Sequence, residues 1–327
     1  DMSESSRGWA GRVADFKTGD TSTILEKDRE VTAECRNFLR NRKADDKPFF
    51  LLAGYLAPHF PLTIPQEYYD RYKDKVPMPD IPEGFLDTLP TNYKHLRAGF
   101  GVGNATDDEI KLGRELYWGF VNWLDDEVGK LLDALGDSDV ADNTIVIYCS
   151  DHGENKGDHG LWWKNNMYEH AARMPLIVHW PKRWAGGQRR SSACSLVDLA
   201  QTIGELGGVE RSDDWDGDSL LNYLDDGNSE WRDIAVSEYY AHNIASGYQM
   251  IRQGPWKYVY HTRFDDEHGP ERELYNLEDD PKEFNNLAND PDHGGRIAEL
   301  HALLIQELRR DPEEAEAECR GGLTKED

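Results

Sequence analysis

Asp151 and His152 follow the apolar run Thr144-Ile145-Val146-Ile147-Tyr148-Cys149; the chain then passes through Gly153-Glu154 and Gly157-Asp158-His159-Gly160 to Lys164. A carboxylate and an imidazole at the tip of one strand offer an oxygen and a nitrogen donor to a divalent ion, and Gly153 lets the backbone turn away at once. Lys164 adds a positive charge to the same loop. A second histidine, His59, stands in the rigid loop Ala57-Pro58-His59-Phe60-Pro61 after another apolar run, a setting of flanking prolines that favours function over a structural role. His159 shares the loop of the metal pair and would help shape a substrate pocket, and His242 in Tyr239-Tyr240-Ala241-His242 would line it. Each has a plainer alternative: an N-cap aspartate beside a surface histidine at 151–152, an exposed charge beside Trp162 and Trp163 at Lys164, and core packing at 239–242. The pair Asp125-Asp126 lies beside Leu124 and Val128 in an amphipathic stretch and reads as a solvated helix face.

The elements that must position these residues follow from apolar spacing. Val31, Cys35, Phe38 and Leu39 mark one face of a helix over 28–39, and 49–55 reads as a strand buried on both faces. After a Pro-, Gly- and Asp-rich excursion at 73–105, apolar residues from Leu116 to Leu135 recur at helical spacing and Gly136 stops the helix. Strands at 144–149 and 176–179 and a helix at 198–206 complete an alternation that predicts an α/β fold, a mostly parallel central sheet covered by helices. Ligands of such sheets bind beyond the carboxyl ends of the strands, where His59 and the Asp151-His152 pair both fall. A shift to Asp, Gly, Ser and Asn near 210–230 divides the chain into a catalytic part, 1–215, and a small C-terminal α+β subdomain, 216–327. The latter carries short antiparallel strands at 235–238, 248–252 and 256–261, a helix at 296–308 and a frayed last dozen residues.

With 63 acidic against 37 basic residues in 327, the net charge is −26, a field that repels nucleic acid and anionic membranes. An anionic substrate then needs a local positive cluster, and Lys164 with Arg173, Lys182 and Arg183 is the place to look. The four cysteines lack C-x-x-C spacing and suggest neither a zinc site nor a disulfide framework; Cys149 reads as a small buried hydrophobe. No apolar run approaches the roughly 18 residues of a membrane span. Residues 1–7 do not read as a signal peptide but as a sequence entered partway through, which leaves the compartment open, periplasm and secretion included.

The loop at 144–164, with Met174-Pro175-Leu176-Ile177-Val178 after it, resembles the second metal-binding segment of the sulfatase family, an alkaline phosphatase-like group, in the style of its iduronate and choline sulfatase-like members. Independently, Tyr248-Gln249-Met250-Ile251-Arg252, Trp256-Lys257-Tyr258 and Glu273-Leu274-Tyr275-Asn276-Leu277 resemble the family's closing small sheet. The resemblance implies that Asp151 and His152 bind Ca2+. Manganese or another divalent ion stays open, since calcium prefers oxygen ligands. It also implies that Lys164 contacts the sulfate and steadies the leaving oxygen, and that His59 protonates the departing alcohol. The family nucleophile is formylglycine, made from a cysteine in Cys-x-Pro-Ser-Arg or from a serine variant; its hydrated aldehyde attacks sulfur, and a sulfated intermediate expels sulfate. Neither Cys35, before Arg36-Asn37-Phe38, nor Cys149, before Ser150-Asp151, has that context, and Ser3-Glu4-Ser5-Ser6-Arg7 reads as a coincidental mimic. The early Asp-Asp strand with the other metal ligands is likewise absent. The implied partners are thus an anionic sulfate ester and an upstream N-terminal segment of the same enzyme. Two rivals stand beside this reading: a phosphonate or phosphate ester hydrolase of the same superfamily, and a sulfatase-like fragment without activity.

Overall fold

The computed structural model describes residues 8–212, 214–241, 246–265 and 267–323. The chain begins with helix α1 (Trp9–Val13), strand β1 (Lys17–Thr18), α2 (Thr23–Arg40), β2 (Thr63–Ile64), α3 (Gln66–Tyr72), α4 (Phe85–Thr88), α5 (Thr91–Gly99) and α6 (Asp107–Gly136). Next come β3 (Val146–Cys149), α7 (Glu169–Ala172), β4 (Leu176–His179), α8 (Leu196–Leu206) and α9 (Leu221–Asp225). Strands β5 (Ile234–Tyr239), β6 (Tyr248–Gln253), β7 (Trp256–His261) and β8 (Glu271–Asn276) follow, then α10 (Gly294–Leu308) and α11 (Pro312–Leu323).

The long helix α6 organises the first half. Thr106 caps it in a reciprocal box with Glu109, and Asp107, Asp108 and Glu109 place negative charge where the helix dipole favours it. Its inward residues Leu116, Phe120, Trp123 and Leu124 are buried, and α2 and α3 pack against it. Gly119 permits that approach, since a Cβ there would sit 2.9 Å from the Tyr68 carbonyl oxygen. Asp125 lies on the exposed face, while Asp126 accepts from the Tyr68 hydroxyl at 2.7 Å, as a helix-surface pair should. The 73–105 stretch is more ordered than its composition suggests: α4 and α5 fold there and bury Phe85, Tyr93 and Leu96.

β3 and β4 pair antiparallel, Val146 opposite His179 and Cys149 opposite Leu176; among the described residues the one parallel pairing, β1 with β2, spans two residues per strand. The 49–55 run forms no ladder among the described residues, and Phe50 and Leu52 are 72% and 77% exposed, so it is not core here. The apolar pattern is that of a buried strand, yet no described strand lies alongside. Cys149 is likewise exposed rather than buried.

The C-terminal sheet has the order β5-β6-β7-β8, antiparallel throughout. Alternation sends Ile251, Tyr258 and Leu274 toward Leu300 and Leu304 of α10. The other face sends Tyr248, Met250, Val259 and Tyr275 into the main core with Tyr93 and Tyr168. The sheet is therefore wedged between its own helix and the loop that carries Lys164. Of the last dozen residues, read as frayed, 316–323 continue α11 and Glu316 is buried, while 324–327 lie outside the described residues.

Candidate active site

Lys164 Nζ lies 2.8 Å from His59 Nε2, joining two residues 105 positions apart. His59 Nδ1–H donates to the Phe60 carbonyl at 2.9 Å, which leaves Nε2 as the acceptor for the Lys164 ammonium. Burial holds His59 below the ordinary histidine value; the Phe60 carbonyl opposes this, and the charges of Lys164, His152 and Arg12 reinforce it. Burial also lowers Lys164, against the pull of Glu154 and Asp151 and with help from Arg12. A neutral imidazole beside an ammonium of reduced pKa is a pair between which a proton can pass.

Beyond β3, His152 Nδ1–H donates to the Gly153 carbonyl at 2.8 Å, and Nε2 is 3.5 Å from Asp151 Oδ2. That bond fixes the tautomer with a lone pair on Nε2, the form a metal ligand needs. The His152 and His59 rings are 6.3 Å apart, so Asp151, His152, His59 and Lys164 share one site. The donor set of one carboxylate and one imidazole fits a divalent ion at two positions. No group of three or more His, Cys, Asp or Glu able to hold a metal gathers among the described residues.

The loop is held by buried contacts. Gly153 N–H donates to the Ala171 carbonyl at 2.8 Å, and a Cβ on Gly153 would lie 2.1 Å from the His170 carbonyl oxygen, so close approach is what this glycine provides. Asn155, fully buried, donates through its backbone to the Trp163 carbonyl at 2.9 Å. Arg114 reaches the Lys156 carbonyl at 2.8 Å and Asp158 at 3.0 Å. Trp162 and Trp163 are buried, so Lys164 projects from a packed loop and is no stray surface charge. At the start of α7, Glu169 meets buried Lys257 of β7 at 3.0 Å, and Lys257 meets Glu283 at 2.6 Å.

Other expectations need correction. His159 is 1% exposed, its ring stacked on Tyr168 at 3.9 Å, and its Nε2–H donates to the Lys282 carbonyl at 2.8 Å; it packs the core beneath the loop and cannot line an open pocket. Its neighbours are apolar, a property that loop sequence alone does not reveal. His242 lies outside the described residues, as does the 3–7 segment. The head of the 239–242 segment does reach the site, because Asn165 Nδ2 donates to the Tyr239 hydroxyl. Arg183 is engaged by Asp225 at 2.6 and 2.8 Å rather than by the site. Its expected place is taken by Arg12, whose guanidinium lies 3.4 Å over the Phe60 ring and whose charge acts on both His59 and Lys164; nothing in its sequence context marked it. Glu154, quoted in the motif but given no role, has its carboxyl lifted by burial to about 7 against Lys156 and Lys164. A groove of about 580 Å³ lined by Gln201, Glu205, Trp231 and Arg232 includes none of the site residues.

With this geometry in view, the comparisons are specific. The Sulfatase family model matches residues 5–209, and the model described as N-sulphoglucosamine sulphohydrolase, C-terminal, matches 157–311. An arylsulfatase of Clostridium perfringens is 30% identical over 285 residues, covering 85% of this chain and 57% of that protein. A choline-sulfatase of Rhizobium meliloti is 30% identical over 292 residues, covering 86% of this chain and 55% of that one. The chain thus spans little more than half the length of these relatives. Among solved structures, a phosphonate monoester hydrolase of Agrobacterium radiobacter superposes with TM-score 0.75 at 23% identity, covering 89% of this chain and 62% of that one. A protein solved with its substrate D-glucosamine-2-N,6-O-disulfate gives TM-score 0.72 at 24% identity, covering 88% and 71%. These likenesses show the fold: an alkaline phosphatase-like α/β architecture with a small antiparallel C-terminal sheet.

Proposed function

The chain belongs to the sulfatase family, and from that premise we propose that it serves the hydrolysis of a sulfuric ester to an alcohol and inorganic sulfate. The observation that carries this reading is the 2.8 Å contact of Lys164 Nζ with His59 Nε2 beside the Asp151-His152 pair. Lys164 neutralises a sulfate oxygen and steadies the leaving oxygen as its charge grows. His59, its ring fixed by the Phe60 carbonyl, presents Nε2 to the leaving alcohol. In the resting pair Nε2 accepts a hydrogen bond, so the proton that reaches the alcohol starts on Lys164 and passes through or beside His59.

Asp151 and His152 would hold a divalent ion, Ca2+ on the family pattern, whose charge polarises the sulfate oxygens when bound. A formylglycine supplies the oxygen nucleophile; we place it, with the remaining metal ligands, on an N-terminal segment outside these residues. The share of each relative that the chain spans supports this, as does the exposure of the apolar 49–56 run. A net charge of −26 fits an anionic ester held by local positive charge better than it fits nucleic acid as ligand.

The likeness to a phosphonate monoester hydrolase favours a second reading, attack at phosphorus with the same residues in the same roles. Turnover of 4-nitrophenyl sulfate, 4-nitrophenyl phosphate and 4-nitrophenyl phenylphosphonate by the full-length enzyme separates them. A kcat/KM highest for the sulfate supports the proposal, a preference for either phosphorus ester transfers the assignment, and no turnover of any favours an inactive module.

A further inference from the structure

We propose that Asp28 of α2 is the positioning residue for His59, an inference that rests on the sulfatase reading of the site. Asp28 is fully buried, although it is a carboxylate on a helix. Its two oxygens accept from the backbone N–H groups of the His59 loop: Leu56 N at 3.0 Å to each oxygen and Ala57 N at 2.8 Å. Charge-assisted bonds of this kind are among the stronger ones a backbone can receive. The same face of α2 extends the grip on that segment. Lys27 Nζ donates to the Gly54 carbonyl at 2.8 Å, and the Thr32 and Tyr55 hydroxyls are 3.0 Å apart.

From Leu56 the constraint passes directly to the site. The Leu56 carbonyl accepts from His59 N–H at 2.9 Å, closing the turn whose next side chain meets Lys164. Asp28 itself makes no contact with Lys164, Asp151 or His152, so any catalytic effect must travel through the loop. Burying a carboxylate is costly unless it is fully bonded, and these amides, with the Lys27 ammonium 3.6 Å from Oδ1, are what satisfy it. The bond pattern also selects the residue type: an Asn oxygen in the place of Oδ2 would accept from both amides, but its NH2, standing where Oδ1 does, would meet the Leu56 N–H donor against donor.

The test uses the full-length enzyme and two aryl sulfates of similar shape, 4-nitrophenyl sulfate, whose phenol leaves readily, and 4-methoxyphenyl sulfate, whose phenol needs a proton. His59→Ala should lower kcat on the methoxy ester by ~10²-fold or more and spare the nitro ester. Asp28→Asn should reproduce that selectivity at roughly tenfold, with KM little changed, and should add nothing in the Asp28→Asn/His59→Ala double variant. Amide exchange at Leu56 and Ala57, read on the same samples independently of activity, should quicken by ~10-fold in Asp28→Asn. Equal losses on both esters, losses that multiply in the double variant, or unchanged exchange would overturn the role of Asp28 while leaving the sulfatase reading intact. A wild-type enzyme silent on both esters, or a His59→Ala variant without leaving-group selectivity, would instead sink the functional reading and this proposal with it.

Discussion

His159 shows how one buried group can leave a solution signature. Burial pushes its imidazole from 6.5 to about 4, so the folded state keeps it neutral while an unfolded chain protonates it at ordinary histidine pH. The unfolded state then binds more protons between those values. Stability contributed by the neutral ring is present at pH 7 and is lost as pH falls through 6.5 toward 4. At roughly 1.4 kcal/mol per pH unit, moving from pH 7 to pH 5 should cost wild type about 2 kcal/mol more than His159→Phe, which cannot titrate. Urea unfolding at the two pH values measures this, and parallel losses in both proteins would refute it. Asp151 and His152 stand out in sequence because a strand end and turn residues surround them, whereas His59 and Lys164 stand out through the family resemblance. The burial of His159 depends on Phe85, Tyr168 and Phe284, brought together only by folding.

At the scale of elements, α7, which follows the Lys164 loop, is fastened to the C-terminal sheet by the Glu169–Lys257–Glu283 cluster. Lys257 is fully buried and raised by its two carboxylates despite desolvation, while burial lifts Glu283 to about 7. Lys257→Met would leave buried Glu283 beside Glu169 with its cation gone, Arg252 holding only Glu169 at 3.5 Å, and should cost about 3–5 kcal/mol in denaturant unfolding. Adding Glu169→Gln and Glu283→Gln should recover a large part of that loss. Failure of the triple variant to recover would mean that the methionine is rejected by packing and not by charge. Most elements were legible because their periodicity is strong: α2, α6, α8 and the strands β4 to β7 fall where apolar spacing puts them. β8 is legible as a strand that ends in an Asp-Pro turn, whereas α4 and α5 hide in a Pro- and Gly-rich stretch where short helices are set by tertiary contacts. The 49–55 run has the composition of a strand without forming one here, because composition states a preference for burial and cannot state with what.

Over the whole molecule, Phe50, Leu51, Leu52 and Leu56 put four exposed apolar side chains into one short stretch of chain. An exposed apolar run of this kind invites cover. If the proposed N-terminal segment covers the 49–56 run in the full-length enzyme, Phe50→Asp/Leu52→Asp should destabilise it by ~2 kcal/mol or more, as burial of charge does. If the run faces water there too, the loss should stay within about 0.5 kcal/mol. The central claim, that Lys164 working with His59 carries a sulfate ester through hydrolysis, is tested most directly by sulfate release from an aryl sulfate in the full-length enzyme, wild type against Lys164→Ala. The account predicts that kcat falls by ~10²-fold or more in the folded variant. Sulfate release by Lys164→Ala at the wild-type rate would contradict it.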